Sequence, residues 1–343
     1  MGQKRKNLLI VGPLPEPKGG VSIHIVRLTN LIQSHFNVRH IDESPDFKSG
    51  IFNLRSGNIF GYLRLLLWAD IVHIHSGVTL LRLTHILAAA LLFRKIIVTI
   101  HAFPHQKGHQ TRINSLFLRL PNKVIVVNDE IPKLLYLHNF HIKPAFIPPN
   151  LASEPDLPAN VSGWISSRKK ADNTILAANA FRIDFYNGND LYGIDLCIQS
   201  LRELVHNYNR KVSLIFVLSS LSKSKKYFNE YKALISKYAL TDHIMLIQAD
   251  LSFVKLIEIT DMVLRPTCTD GDALTVRKAL FLGKPVIASA VVARPEGTML
   301  FRNRDYKDMS SKILGVLDGQ IQIHSHTFTP INYKDYYINL YLN

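Results

Sequence analysis

The densest group of residues able to do chemistry is Asp270-Gly271-Asp272-Ala273-Leu274-Thr275. It follows a short apolar run, Met262 to Leu264, and leads into a helical pattern, Val276 to Leu282, closed by Gly283-Lys284-Pro285. A helix start offers free N–H groups and the positive end of the helix dipole, which together seat an anion such as a diphosphate. Asp270 and Asp272, in the turn ahead of it, can accept hydrogen bonds from sugar hydroxyls, or can act simply as helix caps. A second anion seat is Lys18-Gly19-Gly20-Val21-Ser22, where paired glycines let backbone N–H groups come close to a phosphate at another helix start. Such a Gly-Gly turn also arises for steric reasons alone. Arg182, after a further apolar run, has the forked donors that clamp a diphosphate, or is an ordinary surface arginine. His73, His75 and His101 end two more runs, where open parallel sheets place ligands. His73-x-His75 puts two imidazoles on one strand face, which suits either a metal or a structural role. Nearby carboxylates are sparse, and this weakens the metal reading.

These residues need elements to hold them, and the chain supplies a repeating pattern. Apolar runs at Asn7 to Val11, Ile71 to Ile74, Ile96 to Ile100 and Val124 to Val127 are short enough for buried parallel strands. Helix-like stretches separate them, including Ser22 to His35, Leu80 to Phe93 and Thr111 to Leu120. After residues 147–163, a proline-rich stretch read as an extended connection, the alternation resumes. Its later runs are Thr174 to Ala178, Ser213 to Leu218, His243 to Ile247, Met262 to Leu264 and Pro285 to Ala288. The alternation predicts two α/β domains, 1–152 and 153–329, with a tyrosine-rich helix at about 330–343 that can pack back on the first.

Charge is distributed unevenly. The formal net charge is +15, and residues 1 to 150 hold 18 Lys or Arg against 7 Asp or Glu, a net +11. Such a field draws anions: phosphorylated substrates, an acidic membrane leaflet or nucleic acid. No nucleic-acid-binding motif accompanies it. Cys197 and Cys268 are far apart and lack metal-type spacing, which fits a reducing compartment. The opening MGQKRKNLLIVG reaches Pro13 after one short apolar run, shorter than a secretion signal needs. Arg64, Asp70, Arg82, Arg94 and Lys95 interrupt every stretch that approaches the roughly 18 apolar residues of a membrane span. A cytoplasmic chain is expected, with the inner face of the plasma membrane as a candidate location. Residues Lys107 to Lys123, where Arg112 and Arg119 lie among Leu116, Phe117, Leu118 and Leu120, form a candidate interfacial helix.

The ordered set of motifs resembles the retaining, GT-B-fold glycosyltransferases of family GT4, the group 1 glycosyltransferases. Gly19-Gly20 is similar to that family's N-terminal glycine loop, Thr99-Ile100-His101 to its strand-end histidine, and Val124 to Asn128 to its following strand. Ile147-Pro148-Pro149-Asn150 is similar to its segment leading into the linker, and Arg182 to its arginine after the first strand of the second domain. Pro266 to Gly271, followed by Gly283 to Ser289, resembles its donor-site signature. The resemblance implies an α/β GT-B fold, two Rossmann-like domains facing across a cleft. It also implies a hexosyltransferase-type enzyme that transfers a sugar with retention from a nucleotide-diphosphate sugar to a saccharide or lipid-linked acceptor, in bacterial surface polysaccharide biosynthesis. His101, Arg182 and Asp270 would be the catalytic residues. Gly19, Gly20, Gly271, Asp272, Ala273, Leu274, Thr275 and Lys278 would bind the donor and its diphosphate. No metal and no cofactor beyond the nucleotide sugar is expected, and an anionic membrane surface, but not nucleic acid, is a candidate partner. Two positions depart from the family pattern: Lys278 stands where a ribose-binding glutamate is usual, and Tyr192 where a diphosphate-binding lysine is usual. They make a catalytically inactive partner subunit the main alternative, with a metal-dependent hydrolase using His73 and His75 behind it.

Overall fold

The computed structural model describes residues 5–16, 19–101, 109–127, 130–137, 139–222, 224–271, 273–321 and 332–343. Lys18, Lys107, Asn128 and Asp272, singled out above, lie outside the described residues. The chain forms two compact units, Met1–Ile147 with Pro330–Asn343, and Pro148–Thr329.

The first unit is a parallel sheet of β1 (Asn7–Gly12), β2 (Asn37–Asp42), β3 (Phe52–Asn53), β4 (Ile71–Ile74), β5 (Lys95–Ile100), β6 (Lys123–Val126) and β7 (His141–Ile142), in the order β3-β2-β1-β4-β5-β6-β7. Its inner strands, such as β1 and β5, are almost continuously apolar because helices cover both faces, while β2 nearer the edge carries Arg39 and His40. Leu9 and Val11 of β1 meet one core with Leu66 of α2 (Ile59–Trp68), Ile86 and Ala89 of α3 (Thr79–Leu91), and Leu118. That last residue follows α4 (His109–Phe117). Leu8 and Ile10 meet the opposite core with Ile25, Leu28 and Ile32 of α1 (Gly20–Ile32). Tyr333, Tyr337, Leu340 and Tyr341 complete that second core from the C-terminal helix Tyr333–Leu342, spaced to share one helix face.

After α5 (Glu130–Leu135), the second unit repeats the plan, with helices α6 (Ala159–Lys170), α7 (Ile194–Arg202), α8 (Lys225–Lys237) and α9 (Phe253–Ile259). Its parallel strands are β8 (Thr174–Ala180), β11 (Val212–Leu218), β12 (Ile244–Gln248), β13 (Met262–Arg265), β14 (Val286–Ser289) and β15 (Met299–Phe301), ordered β12-β11-β8-β13-β14-β15. A separate antiparallel pair, β9 (Phe185–Tyr186) and β10 (Asn189–Asp190), follows β8. Leu214 and Phe216 of β11 enter one core and Ile215 and Val217 the other. In each large sheet the strand order reverses beside the first strand, between β1 and β4 and between β8 and β13. Doubly wound sheets take ligands at the C-terminal ends of strands at such a point.

One local expectation needs correction. Residues 147–163 are not extended throughout, because a helix spans Ala159–Lys170. Pro158 occupies its N-cap, where a missing N–H costs nothing, and only Val161 and Ile165, one turn apart, are buried. A helix with so little apolar face leaves almost no periodic signal.

Gly193, ahead of the helix Ile194–Arg202, sits at φ +71°, and a Cβ there would lie 2.3 Å from the Pro266 carbonyl oxygen. The close approach brings the turn after β10 against the end of β13. Gly193→Ala is expected to lower unfolding stability by about 1–3 kcal/mol, read as a shift in the urea midpoint. An unchanged midpoint would show that this contact is dispensable.

Candidate functional site

At the switch point of the first unit, α1 starts from Gly19 at its N-cap. Gly19 N donates to Ser22 Oγ at 2.8 Å, and Ser22 Oγ donates to the Gly19 carbonyl at 3.1 Å. Gly19 is in ordinary extended backbone with φ −125°. Its lack of a side chain therefore leaves space before the helix rather than relieving strain. Gly20 is the first residue of α1.

Four histidines gather close by. His73 and His75 lie in and just beyond β4, His101 follows β5, and His24 comes from α1. His73 is fully committed: its Nδ1 is 2.7 Å from the Tyr341 hydroxyl and its Nε2 2.8 Å from Thr99 Oγ1. The metal pair His73/His75 expected under the hydrolase reading is therefore not available as a pair. His24 takes the place of His73 in the cluster, since ring nitrogens of His24, His75 and His101 lie within 4.8 Å of one another. His24 Nδ1 is 2.9 Å from the Ala145 carbonyl. A carbonyl only accepts, so Nδ1 carries the proton and Nε2 keeps its lone pair. His75 Nδ1 and His101 Nε2 are hydrogen-bonded at 2.9 Å, and His75 Nε2 is buried with no hydrogen-bond partner among the described residues. Three such imidazoles form a donor set suited to a borderline cation. They suit equally a set of neutral donors and acceptors for hydroxyl groups.

Burial keeps these rings uncharged. Desolvation, with a smaller push from Arg27, lowers His24 to about 4, and desolvation followed by neighbouring histidines lowers His73, His75 and His101 well below the usual range. Sequence reasoning missed His24. Its one signal was a histidine on the stripe His24, Ile25, Leu28, Ile32 that α1 turns to the core.

In the second unit, Asn179 at the end of β8 accepts a hydrogen bond from Thr275 Oγ1 at 3.0 Å, tying α10 (Leu274–Phe281) to the switch point. Ala273 is the N-cap of α10 and has no side-chain oxygen with which to occupy the helix N–H groups. Lys278 lies one turn beyond Leu274 and Thr275, on their side of the helix. Gly271 is exposed in the turn ahead.

Asp270 is placed differently from the sequence expectation. It receives Arg265 Nε on Oδ2 at 2.9 Å and Arg265 Nη2 on Oδ1 at 3.0 Å. It also accepts from Arg294 Nη1 at 2.8 Å, Thr267 Oγ1 at 3.1 Å and Gly271 N at 3.0 Å. A carboxylate has about four lone-pair sites, and here all are taken, so none is left for a sugar hydroxyl. Burial pushes its carboxyl up, but Arg265 and then Arg294 overcome this and hold it down to about 2. Asp270 fixes the turn that leads into α10, with Arg294 also reaching Thr267 and Ser289. Arg265 and Arg294 escaped sequence reasoning because neither belongs to a recognised motif.

Arg182 is half-exposed and meets Asp184 with two donors at 3.1 and 2.9 Å. The Arg265 guanidinium lies 5.4 Å from the centre of the Tyr192 ring. The Tyr192 hydroxyl is within electrostatic reach of Arg265, Asp270, Asp184 and Arg182. Arg182, Asp270, Gly271, Ala273, Leu274, Thr275 and Lys278 thus belong to one region, around the ends of β8 and β13. Gly19, Gly20 and His101 belong to the first unit, and Asp272 lies outside the described residues.

With this geometry in place, comparisons define the architecture. No protein-family model matches the chain, and no curated protein matches it by sequence. Solved structures do. HepE from Anabaena, in complex with UDP and glucose, matches with a TM-score of 0.65 at 14% identity, covering 92% of this chain and 91% of that one. A glycosyltransferase from Rickettsia africae matches at 0.65 and 16% identity over 92% and 89%. Sucrose-phosphate synthase from Thermosynechococcus elongatus matches at 0.62 and 14% identity over 91% and 90%. The chain has the GT-B fold. At these identities the likeness extends to the two α/β units and no further.

Two outcomes test the geometry. Unfolded histidine titrates near 6.5, whereas folded His24 titrates near 4. The unfolded chain therefore binds more protons between these values, and stability must fall as pH drops from about 6.5 to about 4. Thermal unfolding followed across that range should show the loss, and a flat profile would mean that the cluster accepts protons while folded. Asp270→Ala strands two guanidiniums and should cost about 3–5 kcal/mol, whereas Arg182→Ala, at a half-exposed site, should stay within about 0.5 kcal/mol. Equal losses in urea unfolding would contradict this division.

Proposed function

We propose that the protein is a nucleotide-sugar glycosyltransferase of the GT4 type. It transfers a hexose with retention from a nucleoside-diphosphate donor to a saccharide or lipid-linked saccharide in bacterial surface polysaccharide assembly. The observation that carries this reading is the second switch point. There the start of α10, with no side-chain cap, offers its N–H groups beside Thr275 and Asn179, and Arg182 and Lys278 belong to the same region. HepE, which shares the fold, is a complex with UDP and glucose.

The chief chemical task is to stabilise charge developing on the departing diphosphate, and fixed donors achieve it with little reorganisation. Arg182 would leave Asp184 to clamp the phosphates, while the first N–H groups of α10 and Lys278 add positive field. Asp270 acts through Arg265, Arg294 and the Gly271 turn by holding that helix start in place. In the first unit, uncharged His101, backed by His75, would orient sugar hydroxyls, and Gly19-Gly20 would leave room for a substrate. The +11 charge of residues 1–150 supports an acceptor carried at an anionic membrane. A second reading, an inactive partner subunit, rests on Tyr192, which sets an aromatic ring where the resemblance calls for a cation.

Calorimetry against UDP-, GDP-, ADP-, CMP- and dTDP-sugars should find one class that binds. Arg182→Ala should weaken it by roughly tenfold to a hundredfold, the scale of a lost charged hydrogen bond. No binding by any donor would reject the enzyme. Binding without turnover on any lipid-linked acceptor would favour the partner subunit.

A further inference from the structure

Three helices of the first unit turn apolar side chains outward. On α2, Ile59, Phe60, Leu63 and Leu67 are exposed, Phe60 to 87%. On α3, Leu80, Leu87 and Leu91 follow one helix face, and Phe93 just past its end is 95% exposed. Ile113 and Leu116 of α4, with Leu120 after it, do the same. Scattered exposed leucines are ordinary, but outward stripes on neighbouring helices are not, because a surface helix normally turns its polar side to water.

The stripes share a direction. Leu66 of α2, Ile86 and Ala89 of α3, and Leu118 after α4 all enter the same core on one face of the sheet, so the opposite sides of these helices all look away from it. The helices are also neighbours: the Tyr62 hydroxyl is 2.8 Å from His85 Nδ1, linking α2 to α3. Arg82 Nη2 reaches Asn114 Oδ1 at 3.3 Å, linking α3 to α4.

Charge decides what this layer fits. From Gly57 to Lys123 the sequence holds eight Lys or Arg and one acid, Asp70, and no acid occurs on α2, α3 or α4. Arg64, Arg112 and Arg119 are exposed on or just beyond the same helices. Their stems can lie along apolar surface while the guanidiniums reach outward. A second copy docked on this face would set one arginine group against another. Apolar tips with interspersed arginines and no acids are the composition of an element lying in the headgroup region of an anionic bilayer. No helix among the described residues is long and apolar enough to cross a membrane.

We propose that the outer face of α2, α3 and α4 docks on an anionic lipid bilayer, with Phe60 and Phe93 entering the boundary between headgroups and acyl chains and Arg64, Arg112 and Arg119 meeting lipid phosphates. The surface rests on the proposed function for its purpose, which is to bring the protein to a membrane-borne acceptor. It enlarges the sequence-derived candidate Lys107 to Lys123, of which Ile113, Leu116 and Leu120 form one edge, while the larger part lies on α2 and α3.

The test is co-sedimentation of the full chain with phosphatidylcholine vesicles, with and without about one third phosphatidylglycerol, at low and high salt. The chain should sediment with the anionic vesicles, and release by salt should be partial because the apolar contacts persist. Phe60→Ser with Phe93→Ser should cut the bound fraction at least tenfold, and Arg64→Glu with Arg112→Glu should do likewise. Lys225→Glu with Lys226→Glu, an equal charge change in the second unit, should have little effect. All four altered side chains on the face are exposed or at its rim, so circular dichroism and nucleotide-sugar binding should match the unaltered chain. Undiminished vesicle binding by the phenylalanine variant, or equal binding to neutral and anionic vesicles, would overturn the proposal. So would a lipid-free dimer that the same variant dissociates, since a second copy would then be the occupant. Failure of nucleotide sugars to bind, with vesicle binding intact, would count against the enzyme and leave the surface standing.

Discussion

Taking a carboxylate out of water is tolerable only when other groups replace the water completely. Asp270 meets that condition with two guanidiniums, a hydroxyl and a backbone N–H, and the arrangement of the second unit's loops depends on it. Arg265 extends the end of β13, Arg294 follows β14, and Gly271 lies ahead of α10, so one side chain joins three elements at once. The set also has a cost in versatility. A carboxylate this fully engaged is an anchor for the groups it holds.

The first unit resolves its buried polarity in another way. At its switch point it gathers histidines, and burial leaves them uncharged, so they bond through lone pairs and N–H groups: His24 to the Ala145 carbonyl, His73 to the Tyr341 hydroxyl and His75 to His101. The two switch points therefore differ in character: the second unit sets arginines against carboxylates beside a helix start, and the first offers neutral hydrogen bonding. Under the function proposed above, that division would suit a polyanionic donor at the second unit and a hydroxyl-rich saccharide at the first.

Much of the fold was legible because buried parallel strands must be apolar on both faces, as at Leu8 to Val11 and Val212 to Leu218, and few other elements produce such runs. The helix Ala159–Lys170 was not legible, since two buried residues make no period. Among site residues, position relative to strand ends pointed to Arg182 and Thr275. The role of Asp270 could not be read, because it is decided by Arg265 and Arg294, whose approach depends on how β13 and β14 lie in the sheet. His73 raised the same difficulty: its HxH spacing suggested a metal, while Tyr341, far along the chain, had already taken one ring nitrogen. Spacing reports what shares an element, and only the tertiary structure reports what each group has already bonded to.

The C-terminal helix Tyr333–Leu342 has a consequence for how the molecule comes into being. Its tyrosines fill the core beneath α1, its Tyr341 hydroxyl bonds His73, and Lys95 Nζ reaches the carbonyls of Leu340 and Tyr341. On the ribosome, the strands of the first unit emerge long before that helix does, and domains generally fold as they appear. The unit made first must therefore wait, with one apolar layer open, until the second has been synthesised and the chain returns to close it. Order of synthesis and order of completion are reversed.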